Sequence, residues 1–202
     1  MSRPRSNTGL LSDQQVDIIA TRLAERFGAP SPEPQRSTVA LSVPADPPRE
    51  TLGEGIFATV DEAVDAAATA FRELDGMSLE GRQKIIASIR ESMLEHGDEL
   101  AAHAQRETGL GRVEHKVIKN RLVTQKTSGT EVLTPHAVTG DNGLTLTEYA
   151  PYGVIGAITP TTNPTSTIIC NTIAMVSAGN SIVFNVHPGA RECSMANVRL
   201  LH

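Results

Sequence analysis

The sequence predicts an α/β fold with parallel strands, and features of Tyr149–Ala190 predict it. Val154–Thr159 and Ser181–Val186 are short apolar runs followed by Pro160 and Pro188, the pattern of strands buried on both faces. Between them lies a segment of about fifteen residues, long enough for a helix. It opens on Asn163-Pro164, an N-cap residue with proline at the first helical position, and closes on Gly179, which suits the residue after a C-cap. Thr165, Thr167, Ile168, Ile169, Thr172 and Ile173 give this segment strand propensity, but its length and caps favour helix. Two such strands and a helix make a right-handed βαβ crossover. Ligands bind beyond the carboxyl ends of its strands, here Thr159–Asn163 and Asn185–Pro188.

The composition bounds the rest. A chain of 202 residues suffices for one domain with appendages. With 3% aromatic residues and no Trp, its core must be aliphatic. A net charge of −5 without a basic run argues against a nucleic-acid surface. No apolar run approaches the roughly eighteen residues of a membrane span. Arg3 and Arg5 give a basic start, but Asp13, Gln14 and Gln15 break any signal-peptide core. Two cysteines make neither a disulfide framework nor a metal set. A cytoplasmic protein without metal, membrane or nucleic-acid partner is the expectation.

Taken in order, residues 1–28 centre on a helix from Leu10 to Phe27, with Val16, Ile19, Ala20, Leu23 and Phe27 on one face. Residues 29–51 hold prolines at 30, 32, 34, 44, 47 and 48, the composition of an extended tether. Such a helix either packs on its own domain or docks on another protein, and the tether favours docking.

Residues 52–134 read as helical. Thr59 and Glu62 form a capping box for a helix presenting Val60, Ala63, Val64, Ala67 and Phe71. A second helix follows Ser78, buries Ile85, Ile86, Ile89 and Met93, and stops at Gly97. A third runs from Asp98 to Gly109 and a fourth from Val113 to about Ser128. His96, His103 and His115 share no face and read as surface residues. Residues 135–150 read as a hairpin, His136–Thr139 and Leu144–Tyr149 around the turn residues Asp141, Asn142 and Gly143, projecting toward another subunit. Residues 151–202 begin the parallel-sheet domain.

Gly153–Pro188, GVIGAITPTTNPTSTIICNTIAMVSAGNSIVFNVHP, resembles the first βαβ unit of the aldehyde dehydrogenase superfamily. Its PTTNPTST and HP motifs resemble the coenzyme-A-acylating branch, and ETGLGRVEHKVIKN (Glu107–Asn120) resembles the helical segment before the hairpin. The likeness runs from about Ile56 to His202. The first 51 residues resemble, by composition, the peptides that deliver such enzymes into bacterial microcompartments.

The resemblance implies a cysteine thiolate that attacks a short aldehyde, hydride transfer to NAD, and transfer of the resulting thioester to coenzyme A. The oxyanion of the first step needs a positioned donor, and the Asn163 amide is the candidate. Ordinary members read Pro-Trp-Asn-Phe-Pro here, which places Thr162 under their Asn and implies a shift by one in the acylating branch. Asn163 has a second possible role as a helix cap. Thr159, Pro160, Thr161 and Thr162 resemble the stretch bordering the nicotinamide side. Asn185 stands where ordinary members carry a ribose-holding Lys, and His187 and Pro188 follow it, suiting a site visited by both NAD and coenzyme A. GVIGAI is not a G-x-G-x-x-G fingerprint.

Neither cysteine matches the family's nucleophile. Cys170 falls in the apolar helix and reads as core; Cys193 also reads as structural, although a helix start beside Arg191 would lower its pKa. The stretch is expected to be the front part of an enzyme, inactive and poorly stable alone. The implied activity is oxidation of propanal or ethanal to acyl-CoA in a dimer or tetramer, with residues 10–27 docked on a microcompartment shell protein. Two alternatives stand beside it: an acyl-phosphate-type semialdehyde dehydrogenase and a non-catalytic shell-binding adaptor.

Overall fold

The computed structural model describes residues 53–202 together with Gln14, Thr21 and Arg22. The chain divides into two compact units, residues 1–46 and 47–202. In the first, the three described residues are helical and exposed, and all fall in the expected 10–27 helix. The rest of that helix and the proline-rich 29–51 segment lie outside the described residues.

The second unit begins with three helices, α1 (Val60–Asp75), α2 (Leu79–Thr108) and α3 (Val113–Lys126), then a 3₁₀ turn at Thr130–Val132. Strands β1 (His136–Gly140) and β2 (Gly143–Thr147) follow, then β3 (Val154–Thr159), α4 (Pro164–Ser177) and β4 (Ser181–Val186). A 3₁₀ turn at Pro188–Ala190 leads into α5 (Arg191–Leu201).

The start of α1 is the expected capping box, with one change. Thr59 Oγ1 accepts the Glu62 N–H at 3.2 Å, while Glu62 Oε2 accepts the N–H of Ala58 rather than of the cap residue. Its apolar face is only partly covered: Ala67 is buried, but Val60 is 69% exposed.

Gly97 does not end a helix; α2 runs through it without interruption for 30 residues. A mid-helix glycine costs about 1 kcal/mol, too little to stop a helix whose buried stripe continues on both sides. Ile86, Ile89, Met93, Gly97, Leu100, Ala101 and Ala104 form that stripe. Gly97 gives close approach to α3: its carbonyl accepts the Asn120 side-chain amide at 2.9 Å. The left-handed Gly109 (φ 67°) terminates α2.

The core is aliphatic, as the composition requires. Ile86, Ile89, Met93 and Leu100 of α2 pack against Ile169 and Ile173 of α4. Burying each such side chain contributes about 1.5–3 kcal/mol. This packing overrides the strand propensity of the α4 segment. A buried polar chain crosses the same bundle: Thr165 Oγ1 donates to Asn120 Oδ1 at 3.1 Å, and Asn197 Nδ2 donates to the Thr165 carbonyl at 3.0 Å.

β3 and β4 pair in parallel, from Val154↔Ser181 to Thr159↔Val186. α4 ends in a Schellman motif, with Gly179 (φ 86°) donating to Val176 and Asn180 to Met175, both at 2.9 Å. Asn180 then joins the helix end to the next strand, its Oδ1 accepting Tyr152 N–H at 2.6 Å and Gly153 N–H at 3.1 Å.

β1 and β2 form the expected antiparallel hairpin, with its turn inside the expected Asp141–Gly143 stretch. Gly140 pairs with Gly143, so Asp141 and Asn142 make the turn, while Gly143 takes the positive φ (138°) that only glycine adopts readily. All ten strand residues are exposed.

Candidate functional site

The two turns at the carboxyl ends of β3 and β4 lie together. A Cβ on Gly189 would stand 3.9 Å from Thr161 Cγ2. The parallel pairing of β3 and β4, which ends at Thr159↔Val186, thus puts the turn Thr159–Asn163 beside the turn that starts at Asn185–Pro188. Thr159 is buried and Thr161 half-buried, and the hydroxyls of both are sequestered without a hydrogen-bond partner. Thr162 and Asn185 are exposed.

Asn163 occupies the N-cap position of α4, but its side chain makes no capping hydrogen bond. The cap is backbone only, which corrects the expectation of a side-chain cap. The side chain is held from elsewhere: Lys119 Nζ donates to Asn163 Oδ1 at 2.5 Å, and Asn163 Nδ2 lies 3.4 Å from Thr162 Oγ1. One turn earlier on α3, Lys116 Nζ donates to the Thr162 carbonyl at 3.0 Å. Lys116 is 7% exposed. Burial first, then the neighbouring Lys119 charge, pushes its pKa down.

Sequence reasoning quoted the motif containing these two lysines but gave neither a role. Their i, i+3 spacing was the available signal, since it places both on one helix face.

His187 caps the 3₁₀ turn: its Nδ1 accepts the Gly189 N–H at 3.0 Å. A neutral imidazole with its Nδ1 lone pair so used carries its hydrogen on Nε2. The exposed His187 is therefore left with a donor at its other ring nitrogen.

Glu107, at the end of α2, caps α5 across the fold. Its Oε1 accepts Glu192 N–H at 2.9 Å and its Oε2 accepts Cys193 N–H at 2.8 Å. Burial works to raise the Glu107 pKa, but hydrogen bonds from Cys193 and Glu192, with His103 nearby, hold it below the usual carboxylate range.

Cys193 is fully buried, and burial followed by Glu107 pushes its thiol up to about 12. The helix start therefore does not activate it, contrary to the effect expected beside Arg191: desolvation and the adjacent carboxylate outweigh the helix field. Cys170 lies in α4 and accepts a hydrogen bond from Thr127 Oγ1 at 3.5 Å. Both cysteines are structural. Among the described residues, no group of three or more His, Cys, Asp or Glu is arranged to hold a metal, and no helix is long and apolar enough to cross a membrane.

Residues 50–202 match the aldehyde dehydrogenase family model. An acetaldehyde dehydrogenase (acetylating) of Bilophila wadsworthia is 40% identical over 94% of this chain and 38% of its own length. A propanal dehydrogenase (CoA-propanoylating) of Salmonella typhimurium is 45% identical over 80% of this chain and 35% of its own.

Among solved structures, a Rhodopseudomonas palustris propionaldehyde dehydrogenase with bound CoA and an acylated cysteine is 52% identical with a TM-score of 0.72. That match covers 74% of this chain and 34% of the other. A propionaldehyde dehydrogenase from the Clostridium phytofermentans fucose utilisation bacterial microcompartment is 50% identical with a TM-score of 0.72, covering 74% and 34%. The chain thus spans little more than a third of the length of the relatives it matches.

Proposed function

Since the chain belongs to the aldehyde dehydrogenase family, we propose that it is the front part of a coenzyme-A-acylating, NAD-dependent enzyme. The reaction oxidises a short aldehyde, propanal or ethanal, to the acyl-CoA. One observation supports the site reading: the Asn163 amide makes no capping hydrogen bond and is held by Lys119 in the turn that follows β3.

When bound, NAD supplies the hydride acceptor and coenzyme A the thiol that takes the acyl group. The residues of this chain bind and orient. Thr159, Pro160, Thr161 and Thr162 border the nicotinamide side of the crevice. Asn185 offers its amide to ribose hydroxyls without the charge of a lysine. His187, with Nε2–H outward, and Pro188 line a part visited by both cofactors. The Asn163 Nδ2 donates to the oxygen that gains negative charge as the aldehyde is attacked, an interaction worth about 3–4 kcal/mol when preorganised. With Cys170 and Cys193 in structural positions, the nucleophilic cysteine belongs to a part of the family fold that these 202 residues do not include.

The exposed β1–β2 hairpin is proposed as the contact between subunits of a dimer or tetramer. Residues 10–27 are proposed as a docking helix for a microcompartment shell protein, with the enzyme lodged inside the compartment. An alignment covering 94% of the chain extends into residues 1–46 and supports sharing of this segment with a relative.

The test uses the protein as its source makes it, incubated with propanal or ethanal and NAD. NADH release that requires coenzyme A, with acyl-CoA found by mass spectrometry, is the expected result. NADH release that requires phosphate instead would replace this reading with the acyl-phosphate reaction. An inactive protein whose residues 1–30 still redirect an inert fusion to shells would replace it with the adaptor.

A further inference from the structure

We propose that Lys119 is a positioning residue that sets the orientation of the Asn163 amide, so that its NH₂ and not its oxygen faces the reacting carbonyl. The proposal rests on the reading of Asn163 as oxyanion donor. A primary amide fits its pocket in two flips that exchange a donor for an acceptor. In the wrong flip, Asn163 Oδ1 would face a developing negative charge and repel it. N-cap residues ordinarily fix this choice by accepting a backbone N–H through Oδ1. Asn163 makes no such bond, so its flip must be set from outside α4.

Lys119 sets it. An ammonium has donors and no lone pair, so the amide atom 2.5 Å from Lys119 Nζ must be the oxygen. The bond is charge-assisted, which makes it stronger than a neutral one. It also draws electron density toward Oδ1 and makes Nδ2–H a better donor. Nδ2 then lies toward Thr162, 3.4 Å from its Oγ1. It carries two hydrogens, so one remains for a substrate oxygen.

The same helix face fixes the backbone beneath. Lys116 Nζ donates to the Thr162 carbonyl at 3.0 Å, so α3 holds two successive residues of the turn through two lysines one helical turn apart. Lys116 is buried and braces the turn; Lys119 is exposed and acts on the amide. Replacing Lys119 therefore removes an orienting bond without emptying a packed site.

The test is kinetic, in the native full-length enzyme. Lys119→Met is expected to lower kcat about tenfold with little change in the aldehyde KM, because the lost interaction exists mainly in the transition state. Lys119→Arg keeps a charged donor and is expected to restore most of the loss. Asn163→Ala should cost about 10²–10³ in kcat, and adding Lys119→Met to it should cost nothing more.

A Lys119→Met loss that persists in the Asn163→Ala background would overturn the proposal, as would unchanged kcat in Lys119→Met alone. Full activity in Asn163→Ala would overturn the oxyanion reading and the proposal with it, which separates the two failures. A second readout needs no turnover. The ¹⁵N side-chain amide signal of Asn163 should be displaced in Lys119→Met and recovered in Lys119→Arg; an identical signal in all three proteins would overturn the orienting role.

Discussion

Glu107 and Cys193 stand 86 positions apart in sequence, yet the Glu107 carboxylate accepts the Cys193 backbone N–H at 2.8 Å and caps α5. The contact joins the end of α2 to the helix that follows β4 and sets the ionisation of both side chains. It also helps to raise the pKa of a thiol that sits at a helix start.

Glu107→Gln should cost about 1 kcal/mol of stability at neutral pH, the usual worth of a helix cap. The folded-state pKa of Glu107 lies below its ordinary value of 4.5. Its contribution is therefore present above that pH and lost as pH falls through the folded pKa. Denaturation curves of wild type and variant should differ at pH 7 and converge progressively below pH 4.5. A difference that stays constant or grows in acid would contradict this.

Thiol labelling should separate the two cysteines. Cys170 is half-buried, whereas Cys193 is fully buried with a pKa of about 12. Under native conditions at pH 8, alkylation followed by peptide mapping should find Cys170 modified first and Cys193 protected. Equal rates would mean that α5 opens readily or that its cap is weak.

Asn120→Ala should destabilise the bundle by about 2–4 kcal/mol. It leaves the buried Thr165 hydroxyl without its acceptor, at about 1–3 kcal/mol, and removes a second bond to the Gly97 carbonyl, at about 1 kcal/mol. Urea denaturation measures the loss. A cost below 0.5 kcal/mol, within the range of ordinary surface changes, would show that water replaces both bonds.

Two glycine substitutions should have opposite signs. In Gly97→Ala the new Cβ would meet Asn120 Cβ at 3.7 Å, ordinary contact, so helix propensity should add up to about 1 kcal/mol of stability. In Gly179→Ala the backbone has φ +86° and the new Cβ would stand 3.0 Å from Arg82 Nη1 and 3.4 Å from Pro151 Cβ, so a loss of about 1 kcal/mol or more is expected. Thermal unfolding of the two variants checks the contrast; shifts of the same sign would refute it.

Much of the fold was legible locally. The bounds of β3 and β4 follow from apolar runs followed by Pro160 and Pro188, and α4 from Pro164 at its start and Gly179 at its end. The capping box at Thr59 is equally local. Gly97 misled because a glycine reads as a breaker when seen alone, while its place on the buried stripe of α2 makes it a contact point for Asn120. The hairpin turn was legible at Asp141 and Asn142, while strand pairing drew Gly143 out of the expected turn and into β2.

By itself the sequence determined the βαβ unit and its bounds, the aliphatic character of the core, and the turn residues Thr159–Asn163 and Asn185–Pro188 at the carboxyl ends of the strands. Those are consequences of neighbours within a few positions. The tertiary structure alone decided what holds these turns and how their groups ionise: Lys119 on Asn163, Lys116 under Thr162, and Glu107 over Cys193. These pairs span 44 to 86 positions. Hydrogen bonds and charges act over a few ångströms in space, so their partners become visible only when packing brings distant helices to the same crevice.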